Sequence, residues 1–264
     1  MKKLLLLLFL GFTLSGFSQT TAIPDPNFEQ ALIDLGYDTA PINGSVPTAN
    51  ISGVTNLDVQ NKNISDLTGI EDFTALTDFD CGNNQLTSLD VSNNTALTTL
   101  ICRTNQLTSL DVSNNTDLFY FDYSYNQLTS LDVSNNIALA TLYCEDNQLT
   151  SLDVSNNIAL ERLSVWNNQL TSLDVINNTA LDSFIGGYNQ LTSLDVSNNT
   201  ALTYLFWRNN QLTDLDVSNN TALETIAISY NQLTDLDVSN NTALTSLRCS
   251  YNQLTSLDVS GATA

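Results

Sequence analysis

Apolar residues return to the same places along most of this chain. Between 97 and 107 they stand at Leu97, Leu100, Cys102 and Leu107, with Asn105 before the last. Alternation at Leu100 and Cys102 is the period of a strand with one face turned inward. Leu110 and Val112 repeat the alternation as the chain returns. The period is marked by Asn84, Asn105, Asn126, Asn147, Asn168, Asn189, Asn210, Asn231 and Asn252, each 21 residues after the last. Every full unit opens with N-Q-L-T-S-L-D-V-S-N-N-T-A, as at 84–96, or a copy changed at one position, and closes on a variable stretch. Upstream, Val54-x-x-Leu57-x-Val59 and Leu76-x-x-Phe79-x-Cys81 are diverged copies. Their spacing is 22, which places one inserted residue near Thr68 or Gly69.

One unit cannot fold alone. Its half-dozen apolar groups contribute roughly 2 kcal/mol each on burial, whereas ordering its backbone costs on the order of 20–40 kcal/mol. The units must therefore stack, each covering the apolar side of the next. Strands stacked in parallel rise about 4.8 Å per unit, so ten copies make a rod roughly 45–50 Å long.

The unit L-x-x-L-x-C-x-x-N-x-L resembles the leucine-rich-repeat family in its short bacterial form, over about residues 51 to 260. The resemblance implies an α/β class fold: a right-handed solenoid with a parallel sheet on its concave face and an extended or 3₁₀ convex side. It also implies that the nine asparagines turn inward and bond the backbone of the adjacent coil. Lys62 holds the equivalent place in the first copy, which departs from that pattern.

Residues 19–50 follow a different pattern. Asp25 suits a helix N-cap, with Pro26 at the first helical position. Phe28, Leu32 and Leu35 fall on one face, and Gly36 suits the stop. This predicts a short helical cap over the first coil, and Asn43-Gly44 a turn between cap and solenoid. With I-S-D-L-T-G-I at 64–70, the segment resembles the cap of the internalins, bacterial surface adhesins. The solenoid is expected to run over 51–264, with its last repeat partial and no polar capping unit. That predicts a monomer unless the uncapped last coil pairs.

Composition narrows the partners. The chain has 28 acidic and 7 basic residues, for a net charge of −21. Such a charge disfavours nucleic acid and anionic lipid. Lys2 and Lys3, the apolar run Leu4 to Leu10 and Gly16-x-Ser18 read as a secretory signal over 1–18, too short to span a bilayer. Phe17 stands where a lipid-bearing cysteine would be, so no lipid anchor and no membrane insertion are expected.

Differences between copies point to a binding face. Across eight full units the opening segment changes at only six sites: Asp117, Ile137, Ile158, Ile176, Asp214 and Asp235. The outward strand positions change almost every time. If the opening segment is as exposed as the strands, this contrast signals diversification for binding; the alternative is that stacking constrains one and leaves the other free to drift. Arg103, Arg162, Arg208 and Arg248 lie at outward positions, with Tyr120, Tyr143, Trp166, Tyr204 and Phe206 on the same face. Aromatic residues and arginine dominate binding hot spots, although arginine in an acidic chain also balances charge. A protein or peptide is the expected ligand, with glycan as the second class.

Other columns carry alternative readings. Asp90, Asp111, Asp132 and their successors to Asp258 must be solvated, bonded to backbone N–H groups or bridged by calcium. A calcium-dependent matrix protein is thus the rival reading. The column from Thr87 to Thr255 resembles an ice-binding face, with stacked hydroxyl bonds as its plainer explanation. Cys81, Cys102, Cys144 and Cys249 share one inward slot and are read as buried free thiols. Trp207 takes that slot beside Gly186, which assigns it to the core. The chain has no histidine, so Ser-His-Asp, Cys-His and the usual zinc chemistry are out. No catalytic residue, cofactor or metal site is expected.

Overall fold

The computed structural model describes residues 19–262; the expected signal segment, 1–18, lies outside them. The chain opens on β1 (Thr20–Ala22), α1 (Pro26–Asp34), β2 (Ser45–Pro47) and the single turn α2 (Thr48–Ile51). One strand per coil follows: β3 (Asn56–Asp58), β4 (Asp78–Asp80), β5 (Thr99–Ile101), β6 (Tyr120–Asp122), β7 (Thr141–Tyr143), β8 (Arg162–Ser164), β9 (Ser183–Ile185), β10 (Tyr204–Phe206) and β11 (Thr225–Ala227). The last two coils add β12 (Asp235–Asp237), β13 (Ser246–Arg248) and β14 (Ser256–Asp258). Strands β3 to β11 and β13 form one 10-stranded parallel sheet in chain order, while β12 and β14 pair separately on the return side.

The sequence period becomes spatial register. Ile101 pairs with Asp122, Asp122 with Tyr143, and so on to Arg248, so side chains equivalent in sequence stand in columns. Leu100, Leu142 and Leu205 point inward and are fully buried, as are the Leu107 and Val112 columns as far as Leu233 and Val238; in the last coil Leu254 is half-buried and Val259 exposed. The one-residue insertion sits at Gly69, whose φ of 104° suits glycine and which precedes a 3₁₀ turn at Ile70–Asp72.

Coils are tied closely on one side only. Cys102 N donates to Asp122 O at 2.8 Å, and Gln106 N to Leu86 O at 2.8 Å. On the return side, backbone bonds between coils occur, among the described residues, only in the last two, at β12–β14 and their flanks. A bonded row holds its coils about 4.8 Å apart, while an unbonded row lets them spread. The sheet therefore occupies the concave side.

One carboxylate bonds both the cap helix and the first coil. Asp25 Oδ1 accepts from Asn27 N and Phe28 N, capping α1, while Oδ2 accepts from Ser65 N at 2.8 Å and Asp66 N at 3.1 Å. Burial opposes its charge, but these donors hold the Asp25 carboxyl below the usual range. Phe28 and Leu32 are fully buried; Leu35, expected beside them, is 45% exposed because it forms the C-cap, after which Gly36 at φ 83° turns the chain away. Glu29, which the sequence did not single out, is fully buried and accepts from Asn43 N and Gly44 N. The Asn43-Gly44 turn lies inside the cap, leading into β2, and does not form the junction with the solenoid. Lys62 departs from the asparagine column to face the cap, 3.7 Å from Asp34.

Candidate functional site

Each strand turns two side chains outward, and a third outward position follows two residues later. All nine predicted residues stand in these columns. Tyr120, Arg162 and Tyr204 share the first; Tyr143, Phe206 and Arg248 the second; Arg103, Trp166 and Arg208 the third. They form two clusters and two separate arginines.

The first cluster surrounds a hollow of about 170 Å³ between Arg103, Tyr120, Asp122, Tyr125, Tyr143 and Glu145. Tyr120 and Tyr143 meet edge to face at 5.8 Å. Arg103 lies 4.0 Å from Asp122. One coil earlier, burial and the carboxylates of Asp58 and Asp122 push the Asp80 carboxyl above its usual range, against the Gly82 N–H and Arg103.

The second cluster is built around Arg208. Its guanidinium carbon lies 5.1 Å from the Trp166 ring centre, 5.0 Å from Tyr188 and 5.8 Å from Phe206. Nη2 donates to the Tyr188 hydroxyl at 2.8 Å. Trp166 meets Tyr188 edge to face at 4.5 Å, and Phe206 stacks on Tyr204 at 6.0 Å. Rings around a guanidinium attract it through their negative faces, by roughly 0.5–2 kcal/mol each. The adjoining glycines make room on both sides of the sheet. A Cβ on Gly187 would strike the Trp166 ring, and one on Gly186 the ring of Trp207. Trp207 is fully buried, as its slot predicts.

Arg162 lies 3.9 Å from Asp182. Arg248 is exposed, two coils beyond Arg208.

A fourth column escaped the sequence reading. The residue before each inward asparagine has positive φ, including Thr104 at 56° and Asp146 at 50°. Four tyrosines hold this place: Tyr125, Tyr188, Tyr230 and Tyr251, all exposed. A left-handed residue with a Cβ costs roughly 1–2 kcal/mol, and asparagine or aspartate tolerates it best. Tyr230 and Tyr251 stack at 4.2 Å. The recurrent Tyr-Asn dipeptide was the visible signal.

The constant segment is far less exposed than the binding argument assumed. The nine inward asparagines bond the neighbouring coil: Asn126 Oδ1 accepts from Leu107 N, and its Nδ2 donates to Cys102 O. Asn84 does the same for Lys62 N and Ile64 N. A second column, Asn94, Asn115, Asn136, Asn157, Asn178, Asn199, Asn220 and Asn241, is fully buried at the corner of each coil. Asn157 Nδ2 donates to Val133 O and Asn136 O, both at 2.9 Å. Stacking thus explains constancy at the core and corner positions, so the contrast in variability alone does not mark a binding face.

The aspartate column is satisfied within its own turn. Asp195 Oδ1 accepts from Ser197 N at 2.9 Å, and this geometry recurs along the column. Hydrogen bonds from the serine two residues on hold Asp90, Asp111, Asp132, Asp153, Asp195, Asp216 and Asp258 below the usual carboxylate range. The threonine column is exposed, and its expected hydroxyl bonds join coils only at Thr255, whose Oγ1 donates to Thr234 O. Spread coils on the convex side keep the other hydroxyls apart. All four cysteines are free thiols, and burial pushes Cys144 up to about 12, leaving it protonated and inert.

Three solved structures place this architecture. The functional domain of InlJ from Listeria monocytogenes, described as including a cysteine ladder, is 40% identical with a TM-score of 0.88, over 92% of this chain and 55% of that one. A leucine-rich-repeat protein from Leptospira interrogans is 22% identical, TM-score 0.75, over 79% of this chain and 58% of that one. The internalin InlF from Listeria monocytogenes is 23% identical, TM-score 0.57, over 89% of each chain. The chain spans a little over half the length of the first two structures. No family model and no curated protein matches it. In this chain the inward column that carries the cysteines is interrupted by Tyr123, Val165, Gly186, Trp207 and Ile228. With its 21-residue coils, single parallel sheet and inward asparagines, the chain is a leucine-rich-repeat protein of the short bacterial, internalin-like kind.

Proposed function

We propose that this is a secreted or cell-surface, non-enzymatic binding module that takes a protein or peptide ligand on its concave strand face, in the manner of an adhesin. Residues 1–18 serve as its signal, 19–50 as its cap and 51–264 as its binding solenoid. One observation carries the reading: Trp166 and Phe206 stay half-exposed around Arg208, with Tyr204 stacked on Phe206 and Tyr188 exposed beside them. Core packing does not require them there. Drift explains single outward changes, but not several rings gathered on one guanidinium over a glycine that admits the indole. Ring-and-arginine clusters in partly desolvated sites are where binding energy concentrates.

The test is capture of ligand from cell-surface extracts by the immobilised protein, compared with the double variant Tyr143→Ala, Trp166→Ala. Loss of capture at an unchanged melting temperature is expected. Equal capture by the double variant would remove the strand face as the binding surface.

A further inference from the structure

The strand face is electrically divided. From β3 to β8, its outward columns carry Asp58, Asp78, Asp80, Asp122 and Glu145 against Arg103 and Arg162. From β9 to β13 they carry no acidic residue, but two arginines, Arg208 and Arg248. The two groups of arginines also differ in their partners. Arg103 and Arg162 each have a carboxylate within 4.0 Å, so charge balance accounts for them. Arg208 and Arg248 have none among the described residues. Arg208 is held instead by neutral rings and one hydroxyl, and its Nε is buried without an acceptor.

A guanidinium that is oriented but not neutralised keeps its donors and its charge for an incoming anion. Its planar fork matches a carboxylate, and ring packing has already fixed the side chain that binding would otherwise have to order. The acidic field of the chain does not cancel this, because screening confines it to about 8 Å at physiological salt and the outward columns beside Arg208 carry no acids. Resting on the reading that this face holds the ligand, we propose that Arg208, with Arg248 beyond it, anchors a carboxylate on an acidic, aromatic-flanked segment of a protein ligand. The acidic coils β3 to β6 then accept the basic part of the same ligand, which fixes its direction along the solenoid. Complementary charge of this kind sets orientation and excludes reversed docking.

Three capped peptides serve as probes: acetyl-Glu-Phe-Glu-amide, its Gln-Phe-Gln counterpart and its Lys-Phe-Lys counterpart. Binding is followed by the fluorescence of half-exposed Trp166, Trp207 being buried. The glutamyl peptide is expected to bind about tenfold or more tightly than the glutaminyl one, the margin of a charge-assisted hydrogen bond. Arg208→Gln abolishes that preference, Arg208→Lys restores part of it, and Arg162→Gln leaves it intact. Equal binding of the glutamyl and glutaminyl peptides, or a preference that survives Arg208→Gln in a variant with unchanged melting temperature, overturns the proposal. Capture from extracts that survives Arg208→Gln, yet is lost in the Tyr143→Ala, Trp166→Ala variant, sinks this inference alone and leaves the binding face standing.

Discussion

The corner of each coil and its strand face are built from the same 21-residue unit, yet they respond to repetition in opposite ways. At the corner, Asn94 and its successors send both amide hydrogens into carbonyls of the coil before. Any other side chain there strands those carbonyls in a dry interior. On the strand face, only the alternate inward residues meet the core; the outward ones end in solvent or on one another. Constancy at the corner is a property of stacking, and freedom on the face is what allowed rings and arginines to collect. The comparison shows that an unvarying asparagine in a solenoid reports the next coil, while a cluster among variable positions is not explained by stacking.

The sharpest way to break this contrast is at the corner. Asn157→Ala removes two buried hydrogen bonds and leaves a small void, which costs about 2–4 kcal/mol. Arg248→Ala on the strand face stays within about 0.5 kcal/mol. Urea denaturation of both variants reads the difference; equal losses would dissolve the distinction. Next comes the pair beneath the sheet. Gly186→Ala drives a methyl into the Trp207 ring and costs about 1–3 kcal/mol. Combining it with Trp207→Cys, the residue at this slot in Cys102 and Cys144, is expected to cost less than the sum of the two single losses, because the methyl then enters space the indole has left. Additive losses in the melting temperature would show that the two side chains do not share a space.

The smallest effect concerns acid. The turn aspartates have carboxyls lowered by their serine partners in the folded chain. Their contribution is complete above the unfolded value of about 3.9 and is lost as pH falls through the lower folded values. The melting temperature should hold between pH 7 and 5 and decline below about 4. An Asp195→Asn variant should show a shallower decline. A melting temperature that is flat to pH 2 would mean that these turns do not hold the folded state.

Most of the fold was legible because repetition multiplies a weak local signal. One Leu-x-Cys alternation is ambiguous, but the same alternation in successive 21-mers fixes the strand, its register and the inward slot of Trp207. Asp25 and Pro26 announced the helix start for a local reason, since capping is a matter of neighbouring backbone. What escaped involved contacts between coils or across the cap. The buried corner asparagines looked like an exposed turn, since S-N-N-T has that composition. Glu29 drew no notice, because the Asn43 and Gly44 N–H groups that satisfy it lie 14 and 15 residues further on. The four tyrosines that precede inward asparagines gave no outward periodicity, as a left-handed residue breaks the alternation of a strand.

The sequence by itself determined the coil, its length, the stacking direction and which strand positions face in or out, because those follow from a period that apolar burial enforces at every copy. Only the tertiary structure decided which outward residues touch. Arg103 and Arg162 have the same chemistry as Arg208, and the chain shows nothing that separates them. It is the side-by-side placement of coils that gives the first two a carboxylate and the third most of its rings, and that placement joins residues about one coil or more apart, such as Arg103 with Asp122 and Arg208 with Tyr188.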